Sequence, residues 1–313
     1  MRVRNLPIRL PANLPAFKIL SDEGVMMMSE DSAERQDIRP LEIALLNLMP
    51  EKEKTERQFA RLIGSTPLQV KLTLVKITNH KPKNTSPEYL MKFYKAFKDI
   101  KNKKFDGFII TGAPIEKLDF NDVNYWEELC QIMDWTITNV HSVFSICWGA
   151  MAMLYHRFGI NKEILTEKAS GCFRHENLKP NSPYLRGVSD DIIIPTSRWT
   201  KINSFDLLSK SGLKILLDSK KMGACLIEEN SNKTLYMLNH IEYETNSLKE
   251  EYLRDLKNNK NTQIPYNYFE DNNPKFRPIN KWRSHAHLLF GNWVNQIYQE
   301  SPFNIEKIGI NKF

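Results

Sequence analysis

The chain has no apolar run approaching the roughly 18 to 20 residues that span a bilayer, no internal repeat and no long low-complexity tract. A membrane-spanning helix, a solenoid and wholesale disorder are therefore not expected. Its four cysteines, Cys130, Cys147, Cys172 and Cys225, form no C-x-x-C pair and have no histidine spacing that reads as zinc. Neither a disulfide framework nor a metal site follows, and each cysteine is a small buried residue or a nucleophile. The first 17 residues are basic but interrupted by Pro7, Pro11 and Pro15, so they lack the apolar stretch of a secretory signal. A cytoplasmic address is expected.

What is present is a 313-residue chain, 41% hydrophobic and 26% charged, with enough apolar residues for one large α/β domain. Its net charge of +7 is spread along the length. The densest basic stretch, residues 92–104, is interleaved with Phe93, Tyr94, Phe97 and Ile100, which predicts the solvated face of an amphipathic helix, not a surface for nucleic acid. Neither a nucleic acid nor a membrane is expected as partner.

Strands and helices alternate. Residues 41–48 and 69–77 read as strands flanking a helix over 51–64, and a helix over 87–99 precedes a buried strand at 105–111. A helix over 122–139 leads to a strand at 143–146 and, with no loop between, a strongly apolar helix at 148–158. Shorter strands at 191–194, 214–217, 224–227 and 233–238, a helix at 248–256, a polar loop at 257–262 and a last helix at 284–298 complete the reading. This order predicts a mostly parallel sheet with helices on both faces and ligands at the carboxyl ends of strands. Residues 1–40 read as an N-terminal arm, 41–300 as one catalytic α/β domain and 301–313 as a tail.

Cys147 stands at the junction of strand and helix, flanked by the small residues Ser145 and Gly149. A nucleophile at such a turn is lifted clear of the sheet and meets the N–H groups of the helix start, which favour a thiolate and an oxyanion. A base is required. His240 directly follows a strand, and Glu242 is two residues on, spaced in extended chain to hold one imidazole nitrogen while the other faces the sulfur.

Cys147 with His240, Ile241 and Glu242 resembles the Cys–His–Glu arrangement of the class I glutamine amidotransferase-like (flavodoxin-like) fold. The longer segments IRPLEIALLNLMP (38–50), TERQFARLIGSTPLQV (55–70), FDGFIITGAP (105–114), FNDVNYW (120–126), ICWGA (146–150), TEKASG (166–171), SRW (197–199), PYNYF (265–269) and WRSH (282–285) are similar to the homoserine O-acyltransferases of methionine biosynthesis, the homoserine O-succinyltransferase/O-acetyltransferase family. The likeness runs from Leu6 to about residue 305.

The resemblance implies a ping-pong acyl transfer. Cys147 is the acyl-thioester nucleophile, His240 the base and acid, and Glu242 its orienting partner. Lys168 and Ser197 correspond to substrate-binding positions, and Arg254 to the arginine that holds the amino-acid carboxylate, a task suited to a guanidinium fork. Glu116 corresponds to the position that sets the acyl donor, glutamate going with acetyl-CoA and glycine with succinyl-CoA. The implied reaction is homoserine O-acetyltransfer from acetyl-CoA as co-substrate, with no cofactor and no metal, and the N-terminal arm is consistent with a homodimer. The rivals are a succinyl-CoA-dependent enzyme, a glutamine amidotransferase-like hydrolase and a non-enzymatic nucleic-acid binder.

Overall fold

The computed structural model describes residues 8–11, 13–22, 27–29, 39–78, 80, 84–258 and 262–310. The buried strands β3 (Leu41–Leu46), β6 (Phe105–Ile110) and β7 (Val140–Ile146) lie at the centre of a 12-stranded sheet. Their near-continuous apolar runs are those of strands covered on both faces. β4 (Val70–Lys76), with alternating burial, lies outside β3, and β1 (Ile8–Leu10) and β2 (Met27–Ser29) extend that edge. From β2 through β1, β4, β3, β6 and β7 to β12 (Thr234–Met237) every pairing is parallel. Beyond β12 the sheet turns antiparallel through β11 (Gly223–Glu229), β10 (Leu213–Ser219), β8 (Lys162–Asn177) and β9 (Asp191–Ile202).

Helices cover both faces. On one, α1 (Pro15–Asp22), α2 (Lys52–Ile63) and α9 (Arg283–Glu300) bury Leu20, Phe59, Phe290 and Trp293. On the other, α5 (Trp126–Asn139) and α6 (Trp148–Phe158) bury Ile132, Met133, Met151 and Leu154. Of the N-terminal arm, residues 1–7, 12, 23–26 and 30–38 lie outside the described residues. Ile8 to Leu10 pair with β2 and β4, and Ala16 and Leu20 enter the core.

The continuous helix expected over 87–99 is broken into α3 (Pro87–Phe93), β5 (Lys95–Ala96) and α4 (Phe97–Ile100). Tyr94 adopts an extended conformation, its hydroxyl bonds to Glu56 and Asn47, and Lys95 and Ala96 pair with Val75 and Lys76. A buried tyrosine bond and an unfilled sheet edge override the helical periodicity. The strand expected at 191–194 runs on to Ile202 because it pairs with β8, which charge-rich alternation had concealed. Its partner segment, residues 162–168, is largely exposed, so no apolar period marks it. The polar loop expected at 257–262 starts later: Lys257 and Asn258 close α8 (Ser247–Asn258), and residues 259–261 lie outside the described residues.

Candidate active site

β7 is buried along its whole length and runs into α6 through Cys147 alone. Cys147 has φ 50° and ψ −118°, a left-handed conformation that costs a non-glycine residue about 1 kcal/mol or more. Its backbone compensates, with N bonded to the Met237 carbonyl at 2.7 Å and O accepting from Met151 N at 3.1 Å. Gly149 is required here, since a Cβ would lie 2.5 Å from the Thr111 carbonyl oxygen. The first N–H groups of the helix, those of Trp148 and Gly149, have no intrahelical acceptor.

Cys147 is 2% exposed, so the thiol lies beneath its neighbours. Gly112, after β6, closes over it: a Cβ there would stand 3.2 Å from the Cys147 Cβ and 3.6 Å from His240 Cε1. The imidazole bonds to the Glu242 carboxylate, Nδ1 to Oε1 at 2.7 Å, and lies in electrostatic reach of the Cys147 thiol beside Gly112. Burial opposes a charge on His240, but Cys147 and Glu242 outweigh it and hold the imidazole well above its usual range.

Glu242 reaches the ring by a different route from the extended chain that the i+2 spacing predicts. Residues 240–243 form a turn closed by Tyr243 N to His240 O at 3.3 Å, and His240 N is tied to the Pro195 carbonyl at 2.9 Å. The turn, not extended chain, folds the carboxylate back onto the ring.

Next to this chain of contacts lies a second cluster that the sequence only half discloses. Lys168 and Ser197 meet at Glu251, which receives Lys168 Nζ at 3.2 Å, the Ser197 hydroxyl, and the Tyr243 hydroxyl at 2.6 Å. The β8–β9 register sets Ser170 opposite Ser197, and an irregularity between Ile164 and Ala169 re-aims Lys168. Gly171 (φ 141°) lets the Tyr266 backbone lie against β8, where a Cβ would come within 2.4 Å of Tyr266 N; this accounts for glycine in TEKASG beside PYNYF. Burial would raise the Glu251 carboxyl, yet Lys168, Ser197 and Tyr243 hold it below the usual carboxylate range. The Tyr243 ring stacks on His240 at 4.2 Å, so one side chain joins both clusters.

Arg254 is not brought onto Lys168 or Ser197. Its guanidinium is 60% exposed at the rim, and Nε and Nη2 bond to Asp255 Oδ1 at 3.1 and 3.0 Å. Asp255 also takes Lys168 at 2.6 Å. Glu116 is half-buried on the loop after β6; burial raises its carboxyl, tempered by His240 and Lys168, which places it in electrostatic reach of both. Sequence reasoning missed Glu251, Tyr243 and Asp255. The available signal was Glu251 and Asp255 four residues apart on one helix, a charge pattern shared by any solvated face.

Among the described residues no group of three or more His, Cys, Asp or Glu is arranged to hold a metal ion, and no helix is long and apolar enough to cross a membrane. A cavity of about 660 Å³ lies at the opposite ends of β3, β4 and β6, lined by Leu10, Glu42, Lys71 and Lys104, and holds none of these side chains.

A glutamine amidotransferase from Thermotoga maritima has a similar architecture, with a TM-score of 0.52 at 10% identity, covering 84% of this chain and all of that one. The fold is thus that of the class I glutamine amidotransferases, an α/β layer structure around a mostly parallel sheet. The homoserine O-acetyltransferase of Ruegeria sp. (strain TM1040) is 54% identical over 306 residues, 98% of each chain. That of Cereibacter sphaeroides (strain ATCC 17025 / ATH 2.4.3) is 56% identical over 304 residues, 97% of this chain and all of its own. The family model described as homoserine O-succinyltransferase matches residues 7–303. From near-complete coverage by that model and by relatives of this identity, the chain belongs to the homoserine O-succinyltransferase family and is an acyltransferase.

Proposed function

We propose that the chain is a homoserine O-acetyltransferase that works by ping-pong transfer through a Cys147 thioester. The observation that carries this reading is the buried His240–Glu242 pair, bonded at 2.7 Å, with Gly112 lying against both the Cys147 side chain and the His240 ring. His240 takes the Cys147 proton, and the thiolate attacks the acetyl-CoA carbonyl. The oxyanion meets the free N–H groups of the α6 start and of the loop at Gly112 and Ala113. The intermediate collapses, the CoA sulfur leaves with the proton held by His240, and the acetyl group remains on Cys147. In the second half, His240 takes the homoserine hydroxyl proton, the oxygen attacks the thioester, and Cys147 leaves and recovers a proton from the imidazole. The first step exchanges one thioester for another, while the second forms a less activated oxygen ester and drives the sequence forward.

Glu251, kept ionised by Lys168 and Ser197, suits the α-ammonium of homoserine, and Arg254 at the rim suits its α-carboxylate on release from Asp255. Acetyl as the donor group rests on Glu116. A succinyl carboxylate about 4 Å from Glu116 at an effective dielectric of about 20 costs roughly 4 kcal/mol, or about three orders of magnitude in rate. Acetyl bears no such charge. The cytoplasm, where acyl-CoA thioesters are available, is the proposed location.

Mass spectrometry after mixing with acetyl-CoA alone tests the reading. An acetyl adduct on Cys147 that homoserine discharges is expected; full turnover by Cys147→Ala would sink it. The description of the matching family favours succinyl-CoA as a second reading. Donor competition in wild type and Glu116→Gly decides: unchanged preference in the variant removes Glu116 from the account.

A further inference from the structure

Arg198 is a buried charge that the mechanism above does not use. β9 turns Ser197 and Trp199 to one side, toward Glu251 and the Lys117 ammonium that lies 3.6 Å from the Trp199 ring. By strand alternation Thr196, Arg198 and Thr200 face the other way. There the Thr200 hydroxyl lies 3.2 Å from the sulfur of Met151, in the first turn of α6, and Pro195 holds the backbone of His240. Arg198 is 1% exposed. Its Nη2 donates to the Met222 carbonyl at 2.7 Å, whereas Nε and Nη1 have no acceptor among the described residues.

Among the described residues no carboxylate is paired with this guanidinium; the titratable groups in electrostatic reach are the thiols Cys147 and Cys225 and the buried imidazole of His175, which burial keeps neutral. Burial pushes the Cys225 thiol up to about 12, so it stays neutral through the physiological range. A buried, unpaired guanidinium is strongly unfavourable unless a negative charge develops beside it. Of the two thiols, Cys147 is the one that becomes anionic in the proposed reaction.

We propose that Arg198 is a positioning residue for the nucleophile: from behind the elbow its buried positive charge stabilises the anionic sulfur of Cys147 and so sustains the thiolate–imidazolium pair with His240. The inference rests on the proposed nucleophilic role of Cys147. Arg198 makes and breaks no bond and keeps its proton throughout, while the Cys147 proton passes to His240. Around that pair stand Glu242 and Tyr243 from the turn after β12, Glu116 from the loop after β6 and Glu251 from α8. These bring negative or neutral groups, and the Lys168 ammonium is paired with Glu251 and Asp255; Arg198 brings a positive charge that has no carboxylate partner among the described residues.

The test is iodoacetamide alkylation of Cys147, followed by residue-resolved mass spectrometry of the full chain from pH 5.5 to 9. At pH 7, Arg198→Met and Arg198→Gln are expected to react about tenfold more slowly than wild type, with the gap closing at high pH, and Arg198→Lys to recover much of the rate. Wild-type alkylation at every pH in the uncharged variants would overturn the inference. So would a lower melting temperature with an unmoved pH profile, which is the signature of a purely structural side chain. Should Arg198→Met fail to fold, Arg198→Gln retains a donor for Met222 and carries the same comparison. Transfer activity of Cys147→Ala separates the two claims: its loss with unchanged alkylation in the Arg198 variants removes Arg198 alone, and its persistence removes the nucleophile.

Discussion

Two carboxylates stand near one imidazole in different surroundings. Glu242 is bonded to His240 Nδ1 and faces inward, with a second oxygen that has no partner among the described residues. Glu116, half-buried on the loop after β6, lies in electrostatic reach of the same ring. Glu242→Gln keeps the shape, removes the charge that favours imidazolium and presents an amide to the ring; a fall in kcat of roughly 100- to 10,000-fold with a small change in KM is expected from steady-state assays. For Glu116, burial raises the carboxyl above its usual value, so acidification neutralises it earlier than an exposed glutamate. The preference for acetyl-CoA over succinyl-CoA should therefore narrow as the pH falls from 8 toward 5. Competition assays with mixed donors would show this, and Glu116→Gln should show the narrowed preference at all pH values.

At the scale of elements, the elbow depends on how closely β7, β6 and α6 approach. Gly149 is the point of closest approach, with the Thr111 carbonyl where a side chain would begin. Gly149→Ala must push α6 off the end of β6, and overpacking of this kind costs about 1–3 kcal/mol. A lower urea midpoint together with slower formation of the acyl-enzyme is expected; a variant with wild-type values in both would show that the helix relaxes freely. Much of this unit was legible from residues alone: the buried strand, Cys147, the short neighbours and the apolar helix followed one another without a loop. The break at Tyr94 was not legible, because lysines and aromatics at helical spacing say nothing of a tyrosine bond to Glu56 or of an unpaired sheet edge. The β8–β9 hairpin was hidden for a related reason, since an outlying strand exposed to solvent carries no apolar period.

Across the whole molecule, the second half of the sheet reverses direction and encloses a buried imidazole. His175 is fully buried, its Nδ1 bonding to the Phe173 carbonyl at 2.9 Å and its Nε2 to the Asn239 amide at 2.8 Å. Burial drives its pKa down to about 4. Unfolded, the imidazole takes a proton near pH 6.5, so between about 6.5 and 4 the unfolded chain binds more protons than the folded one and stability falls with pH. The full contribution is roughly 3 kcal/mol by pH 4. Urea unfolding of wild type and His175→Gln at pH 7, 5.5 and 4.5 should give curves whose separation changes across that window, the variant losing less on acidification. A constant separation would assign the pH dependence to other groups.

The sequence by itself determined the alternation of strands and helices, the strand-to-helix junction at Cys147, the candidates His240 and Glu242, and the family, because each rests on local periodicity or on residues adjacent in the chain. Only the tertiary structure decided that a turn brings Glu242 to the ring, that Lys168 and Ser197 converge on Glu251, that Arg254 stays at the rim, and that Arg198 is buried behind the elbow. The contacts of Lys168 and Ser197 with Glu251 join segments 83 and 54 residues apart through strand register and burial, and a side chain's charge does not specify which distant partner will meet it.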